Sequence, residues 1–277
     1  MKILVLGSGA AGGFPQWNCH CGLCAAQRAG TLLAPARTQS AMAVSADGDN
    51  WVLLNASPDI GTQLRRQPQL HPRGAGDTPI RGVVLTDAQL HHVSGLLGLR
   101  EGPCIDLFAT PCVFEDLTTG LPLLSVLQHY CGTRWHIVPV AGDRHSAEFE
   151  IEGAASLRFT AIAVSGEAPP YSAHRRGQVV GDSIALLIED RRTGQRLFYA
   201  PGMQHAGDHE LGWMQGADCV VVDGSATMDL LAASPARRKV LIHVQHDDPV
   251  LDDAGTQRRH LQAQGIEVAY DGMEIAL

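Results

Sequence analysis

The sequence predicts a layered α/β (α+β layered) protein in which two β-sheets pack together and helices cover them from outside. Three observations carry this. Short Val/Ile/Leu-rich runs bounded by Gly, Pro or Asp recur in both halves of the 277 residues, as strands do. Helical patterns arrive singly rather than after every strand, which disfavours a doubly wound parallel sheet. No internal repeat, low-complexity tract or linker interrupts the chain, so residues 1–277 read as a single domain, long enough to bury a substantial core.

In chain order, strands are expected at Ile3–Leu6, Ala41–Val44, Trp51–Leu54, Gly82–Leu85, Leu157–Val164, Ser183–Ile188, Leu197–Ala200, Cys219–Val222 and Val240–Val244. Helices are expected at Asp59–Arg66, His91–Leu99, Val113–Gly120 and Thr256–Gln264. Gln67–Thr78, rich in Pro and Gly, reads as a surface loop, as does Ala168–Gly181 with its Pro169-Pro170 and Arg175-Arg176 pairs.

A net charge of −8 and a pI near 5.9 exclude a general nucleic-acid surface, which needs clustered Lys and Arg, and favour a small-molecule or peptide substrate. The apolar run at Ile3–Leu6 stops at Gly7, too short for a signal-peptide core. No stretch approaches the roughly 20 apolar residues that a membrane helix needs. The expectation is a cytoplasmic protein without membrane insertion; the sequence leaves a homodimer open.

Gly7-Ser8-Gly9-Ala10-Ala11-Gly12 matches the dinucleotide-binding glycine pattern and follows a strand. Gly13 and Pro15 oppose the helix that must open there, and no acid stands about 20 residues on. The motif reads instead as a tight turn delivering the chain to the cysteines.

Three of the seven cysteines fall in Cys19-His20-Cys21-Gly22-Leu23-Cys24. In a reducing compartment such a C-x-C-x-x-C cluster points to metal, because three thiolates can wrap one face of a tetrahedral zinc. Three free thiols or a redox pair are the alternatives. A closed site needs a fourth ligand from elsewhere, and His20 points away from its neighbours in extended geometry. Cys104, Cys112, Cys131 and Cys219 read mostly as inert core thiols.

The strand Gly82–Leu85 runs into Thr86-Asp87-Ala88-Gln89-Leu90-His91-His92. Asp87, Gln89, His91 and His92 thus crowd a strand's C-terminal end, where such folds place their chemistry. The residues alone leave a solvated helix cap, with Asp87 as the cap, equally open. Asp223 and His243 each end a later apolar strand.

This segment resembles the metallo-β-lactamase signature H-x-H-x-D-H. Aligned on His92, Asp87 and Gln89 stand where the signature has its first two His, and His91 stands where it has Asp. Asn55 stands where that fold usually carries Asp, and His243 matches its late His. A dinuclear zinc hydrolase centre is therefore eroded, since Gln is a poor zinc ligand. The resemblance implies a metallo-β-lactamase-like αββα sandwich.

The segments GSGAAGGFPQWNCHCGLC (7–24), ARTQSAMAVS (36–45), NASPDI (55–60), VLTDAQLHHVSGLLGLREG (84–102), GDSIALLIED (181–190), LFYAPG (197–202), CVVVDG (219–224), RKVLIH (238–243) and YDGMEIAL (270–277) closely resemble the coenzyme PQQ synthesis protein B family. A more distant resemblance, to the cyclic phosphodiesterase of phosphonate breakdown, implies a structural zinc on Cys19, Cys21 and Cys24 closed by His246, three residues after His243. Three departures stand out. The family usually has Asp at 91 and more often Asn at 246. It also carries a Met-Gly-His segment between Gly224 and the Arg238 strand, which is missing here.

The family resemblance implies a part in making pyrroloquinoline quinone (PQQ) from a peptide precursor. The favoured chemistry is oxygen-dependent hydroxylation of the precursor's tyrosine at mononuclear Fe2+, held by His92, Asp223 and His243 with Asp87 or His91 as further candidates. Gln89 completes the candidate catalytic set. Arg175-Arg176 could meet an acidic peptide. The rivals are a non-catalytic carrier of PQQ or its precursor towards the periplasm, and a metal-dependent hydrolase or phosphodiesterase.

Overall fold

The computed structural model describes residues 1–277 apart from 206, 225 and 226. Its strands are β1 (Lys2–Gly7), β2 (Ala41–Ser45), β3 (Trp51–Leu54), β4 (Ile80–Val84), β5 (Ile105–Ala109), β6 (Thr133–Ile137), β7 (Ser146–Phe149), β8 (Leu157–Ala163), β9 (Ile184–Asp190), β10 (Gln195–Ala200), β11 (Cys219–Asp223), β12 (Arg238–Ile242), β13 (Ile266–Val268) and β14 (Glu274–Ala276). Its α-helices are α1 (Gly22–Arg28), α2 (Ile60–Arg66), α3 (Leu90–Val93), α4 (Pro111–Glu115), α5 (Leu123–Leu127), α6 (Asp208–Gln215), α7 (Met228–Ala233) and α8 (Thr256–Ala263).

The strands form two sheets of seven, ordered β14-β1-β2-β3-β4-β5-β6 and β13-β12-β11-β10-β9-β8-β7. Alternation along β1 shows the layering. Ile3 and Val5 face the second sheet, sharing a core cluster with Phe159, Leu186, Tyr199 and Val221. Leu4 and Leu6 face outward into a cluster with Ile60 of α2, Val113 of α4 and Leu124 of α5. On the far side, Phe198, Val220 and Leu241 pack with Met214 of α6, Leu231 of α7 and Leu261 of α8. The result is αββα.

Both faces of the central strands are buried, so they read as continuous apolar runs and not as alternating ones. Each fully buried Val, Leu or Phe contributes about 1.5–3 kcal/mol. All nine expected strands and four expected helices lie on observed elements, with ends shifted by a few residues. His91–Leu99 is split: α3 gives way to a 3-10 turn at Ser94–Leu99. Strands β5, β6, β7, β13 and β14 and helices α1, α5, α6 and α7 were not expected.

The glycine motif opens no helix. Gly12 and Gly13 turn with φ of +86° and +66°. Gly9 N–H donates to Thr38 O (2.9 Å) and Ala10 N–H to Val244 O (2.9 Å), tying this turn to both sheets before the chain reaches α1. Cys112 and Cys219 are buried as expected, and burial pushes their thiols to about 11 and about 12. Cys104, by contrast, is exposed.

Candidate metal centres

The C-terminal ends of β4, β11 and β12 meet at one end of the sandwich. There Ile184 N–H donates to Thr86 O at 2.8 Å, and Asp87 bridges to Ser183, stitching one sheet to the other. Past β4 the chain turns at Thr86–Gln89, and α3 opens to present His91 and His92. From the other sheet, the parallel register pairs Asp223 with Ile242, so Asp223 lies beside His243. His243 sits at φ +57°, a left-handed conformation that His and Asn adopt more readily than most residues.

The nitrogens of His91, His92 and His243 lie within 4.8 Å of one another. His92 Nδ1 is 2.8 Å from both oxygens of Asp87, and His243 Nδ1 is 3.0 Å from Asp223 Oδ2. A carboxylate can only accept here, so both Nδ1 atoms carry a proton and both Nε2 atoms face the centre. His92 Nε2 is buried and has no hydrogen-bond partner among the described residues. His91 Nε2 and His243 Nε2 stand 3.0 Å apart. Three imidazole nitrogens converging on one point, one of them orphaned, fit a metal ion such as zinc or iron.

Burial, reinforced by the neighbouring His92 and His243, pushes the His91 imidazole down to about 3, so it is neutral at physiological pH. Burial opposes ionisation of Asp87, but His92, His91 and the Gln89 N–H outweigh it and hold the carboxyl well below its usual range. Asp87 therefore carries its negative charge, and His91 keeps a lone pair free.

The turn that carries His92 is clamped from β3. Ala56 N–H donates to His92 O (2.7 Å), and Gly95 N–H donates to Ala56 O (2.9 Å). A Cβ on Gly95 would lie 1.9 Å from Ser57 O. Gly95→Ala is expected to destabilise the fold by about 1–3 kcal/mol, as overpacking does. A denaturant midpoint equal to that of the unsubstituted protein would show the clamp to be loose.

The second cluster gathers at α1. Cys21 caps this helix, its Sγ accepting from Cys24 N–H at 3.5 Å, while Cys19 Sγ accepts from Cys21 N–H at 3.3 Å. Donor atoms of Cys19, Cys21 and His246 lie within 4.8 Å of one another. Cys24, expected as a further ligand, is not in that three-donor group; its Sγ lies 3.7 Å from the His246 carbonyl oxygen. His20 is exposed. Hydrogen bonding from Cys24 N–H lowers the Cys21 thiol below its usual value, whereas burial raises Cys24 to about 11. In zinc-stripped protein, alkylation followed by mass mapping is therefore expected to label Cys21 at a lower pH than Cys24. The reverse order would contradict this electrostatic picture.

A beta-lactamase superfamily domain model matches residues 50–262. The coenzyme PQQ synthesis protein B of Methylobacillus flagellatus is 45% identical over 308 aligned positions, covering 100% of both chains. That of Nitrosococcus oceani is 44% identical over 309, again covering 100% of both. This chain belongs to the coenzyme PQQ synthesis protein B family. The crystal structure of zinc-bound PqqB from Methylobacterium extorquens superposes with a TM-score of 0.89 at 31% identity, covering 100% of both chains. A diphosphatase of the PhnP family superposes at 0.72 with 19% identity, covering 100% of this chain and 97% of its own, a likeness of fold.

Within this PQQ synthesis protein B fold, most of the expected site residues come together. His91, His92 and His243 form the three-donor group. Asp223, expected as a ligand, lies with Oδ2 3.0 Å from His243 Nδ1, on the strand that the β11–β12 register sets beside the end of β12. Asp87 likewise stands behind His92. Gln89 turns away, its Nε2 donating at 2.8 Å to Glu167 O, just before the loop expected at Ala168–Gly181. Tyr171 of that loop donates its hydroxyl to Ala88 O. Neither this contact nor the role of Thr86, whose hydroxyl donates to Asp87 Oδ2 at 3.0 Å, had a signal in the sequence. The stretch where a Met-Gly-His segment was expected includes residues 225 and 226, which lie outside the described residues. Among the described residues no helix is long and apolar enough to cross a membrane.

Proposed function

We propose that this protein works in the cytoplasm as a hydroxylase of PQQ biosynthesis, acting on the tyrosine of the precursor peptide. Iron would be held by His91, His92 and His243, and a structural zinc by Cys19, Cys21, Cys24 and His246. The observation that carries the reading is the orphaned, buried His92 Nε2 beside two further imidazole nitrogens. Three protein donors leave open positions for oxygen and substrate. When bound, iron supplies one-electron chemistry towards O₂. The balance is one O₂, two electrons and two protons consumed, and one new phenol oxygen and one water formed. A small organic reductant supplies the electrons.

The protein's own share is positioning. Asp87 and Asp223 fix the tautomers of His92 and His243, and the low pKa of His91 keeps its lone pair available. Three imidazoles also suit a catalytic zinc that activates water, which gives a hydrolase reading its footing.

Metal content after anaerobic purification, with and without added Fe(II), separates these readings when paired with oxygen uptake on the precursor peptide. About one zinc and one iron per chain, with peptide-dependent oxygen consumption, is the expected result. Zinc at both centres with turnover of an ester or phosphodiester would replace hydroxylation by hydrolysis. Zinc at the cysteines alone, tight PQQ binding and no turnover would leave a carrier.

A further inference from the structure

We propose that Asn55 is a positioning residue for the histidine cluster, acting on His92 through Thr86 and Asp87. The proposal rests on the reading above that this cluster is the working site. Asn55 directly follows β3 at φ +65°; among the described residues only His243 shares a positive φ without being glycine. Asn55 is fully buried. Its carboxamide grips Thr86 at two points: Oδ1 accepts Thr86 N–H at 2.9 Å, and Nδ2 donates to Thr86 Oγ1 at 2.9 Å.

That grip decides where the Thr86 hydroxyl proton goes. Two acceptors are within reach, Asp87 Oδ2 at 3.0 Å and Asn55 Oδ1 at 3.2 Å. Oδ1 already accepts the Thr86 N–H, and a carboxylate is the stronger acceptor. The hydroxyl therefore donates to Asp87. Asp87 then accepts from Thr86 Oγ1, Gln89 N (2.9 Å) and His92 Nδ1 (2.8 Å), which fixes the plane of the carboxylate and with it the ring of His92.

The relay needs a side chain at 55 that both donates and accepts, in a left-handed backbone. Asp tolerates that backbone but has no donor. An Asp at this position would draw the Thr86 hydroxyl to itself and leave Asp87 with one donor fewer. A second contact points the same way. The neighbouring Ala56 N–H holds the His92 carbonyl at 2.7 Å, so the end of β3 fixes both the backbone and, through Thr86 and Asp87, the imidazole of His92.

The test compares Asn55→Asp, Thr86→Val and Thr86→Ser in full-length, zinc-loaded protein. One readout is the downfield proton resonance of His92 Nδ1–H and its protection from solvent exchange, recorded before any metal is added to the histidine cluster. The other is optical titration with Co(II). The original protein and Thr86→Ser are expected to show a protected resonance. Asn55→Asp and Thr86→Val are expected to lose that protection and to bind Co(II) about 10-fold or more weakly. Unchanged resonances and Co(II) affinities within twofold in both variants would overturn the proposal. If Asn55→Asp does not fold, the Thr86→Val and Thr86→Ser pair decides alone, because a purely structural defect would not be rescued by restoring the hydroxyl. If the original protein takes up no Co(II) at the cluster, the functional reading fails, and the resonance still decides the role of Asn55.

Discussion

Replacing Cys21 by Ser is expected to lower the melting temperature by about 8–16 °C and to remove one zinc per chain. Ser is a good helix N-cap, so the cap on α1 survives and the loss reports the thiolate. A metal present at about a thousand times its dissociation constant stabilises the folded state by about 4 kcal/mol. In a domain of this size each kcal/mol shifts the midpoint by about 2–4 °C. The damage should begin locally. Phe14 and Cys24 are buried in the outer cluster of the second sheet, with Cys19, Cys21, Leu23, Leu32 and Ala34 packed against it. Without metal, this arm loses its tie to His246 and uncovers that face, while the core between the sheets stays intact. A Cys21→Ser protein that kept its zinc, or melted within about 2 °C of the original, would contradict the zinc assignment.

What could be read from the sequence follows from burial. The strands buried on both faces, such as Ala41–Ser45 and Cys219–Asp223, are continuous apolar runs and were legible at once. Strand β6, Thr-Arg-Trp-His-Ile, lies at a sheet edge and is half exposed, and β13 and β14 are three residues each, too short to show a period. Helix α1 was hidden because its N-cap, Cys21, and its third residue, Cys24, belong to the metal-type cysteine motif. The histidine cluster was legible in its members but not in their division of labour. Asp223 reads as a ligand because it ends a strand beside other candidates. Only the folded geometry brings Asp223 Oδ2 to 3.0 Å from His243 Nδ1 and gathers the three imidazoles into one group.

That division of labour carries the other large expected effect. Asp87→Asn should weaken metal binding at the histidine cluster by about 10–100-fold while leaving the cysteine zinc in place. Asp87 Oδ1 accepts from Gln89 N and His92 Nδ1, and Oδ2 accepts from the Thr86 hydroxyl, with His92 Nδ1 2.8 Å from each oxygen. An amide of the same shape must turn an NH₂ towards one of these donors. Facing Gln89 N–H, it sets donor against donor. Facing His92, it favours the tautomer with the proton on Nε2, where the metal needs a lone pair. Burial makes this costly, because neither Asp87 nor His92 can turn to water instead. Asp223 provides the internal comparison. Its side chain is 27% exposed, so Asp223→Asn can rotate and His243 Nδ1 can bond to water. The loss there should fall at the lower end of the same range. Fe(II) or Co(II) titration of the two variants side by side checks the order. Equal losses, or a larger one at Asp223, would mean that burial of the carboxylate is not what fixes the ligand, and that Asp223 contributes directly to the metal.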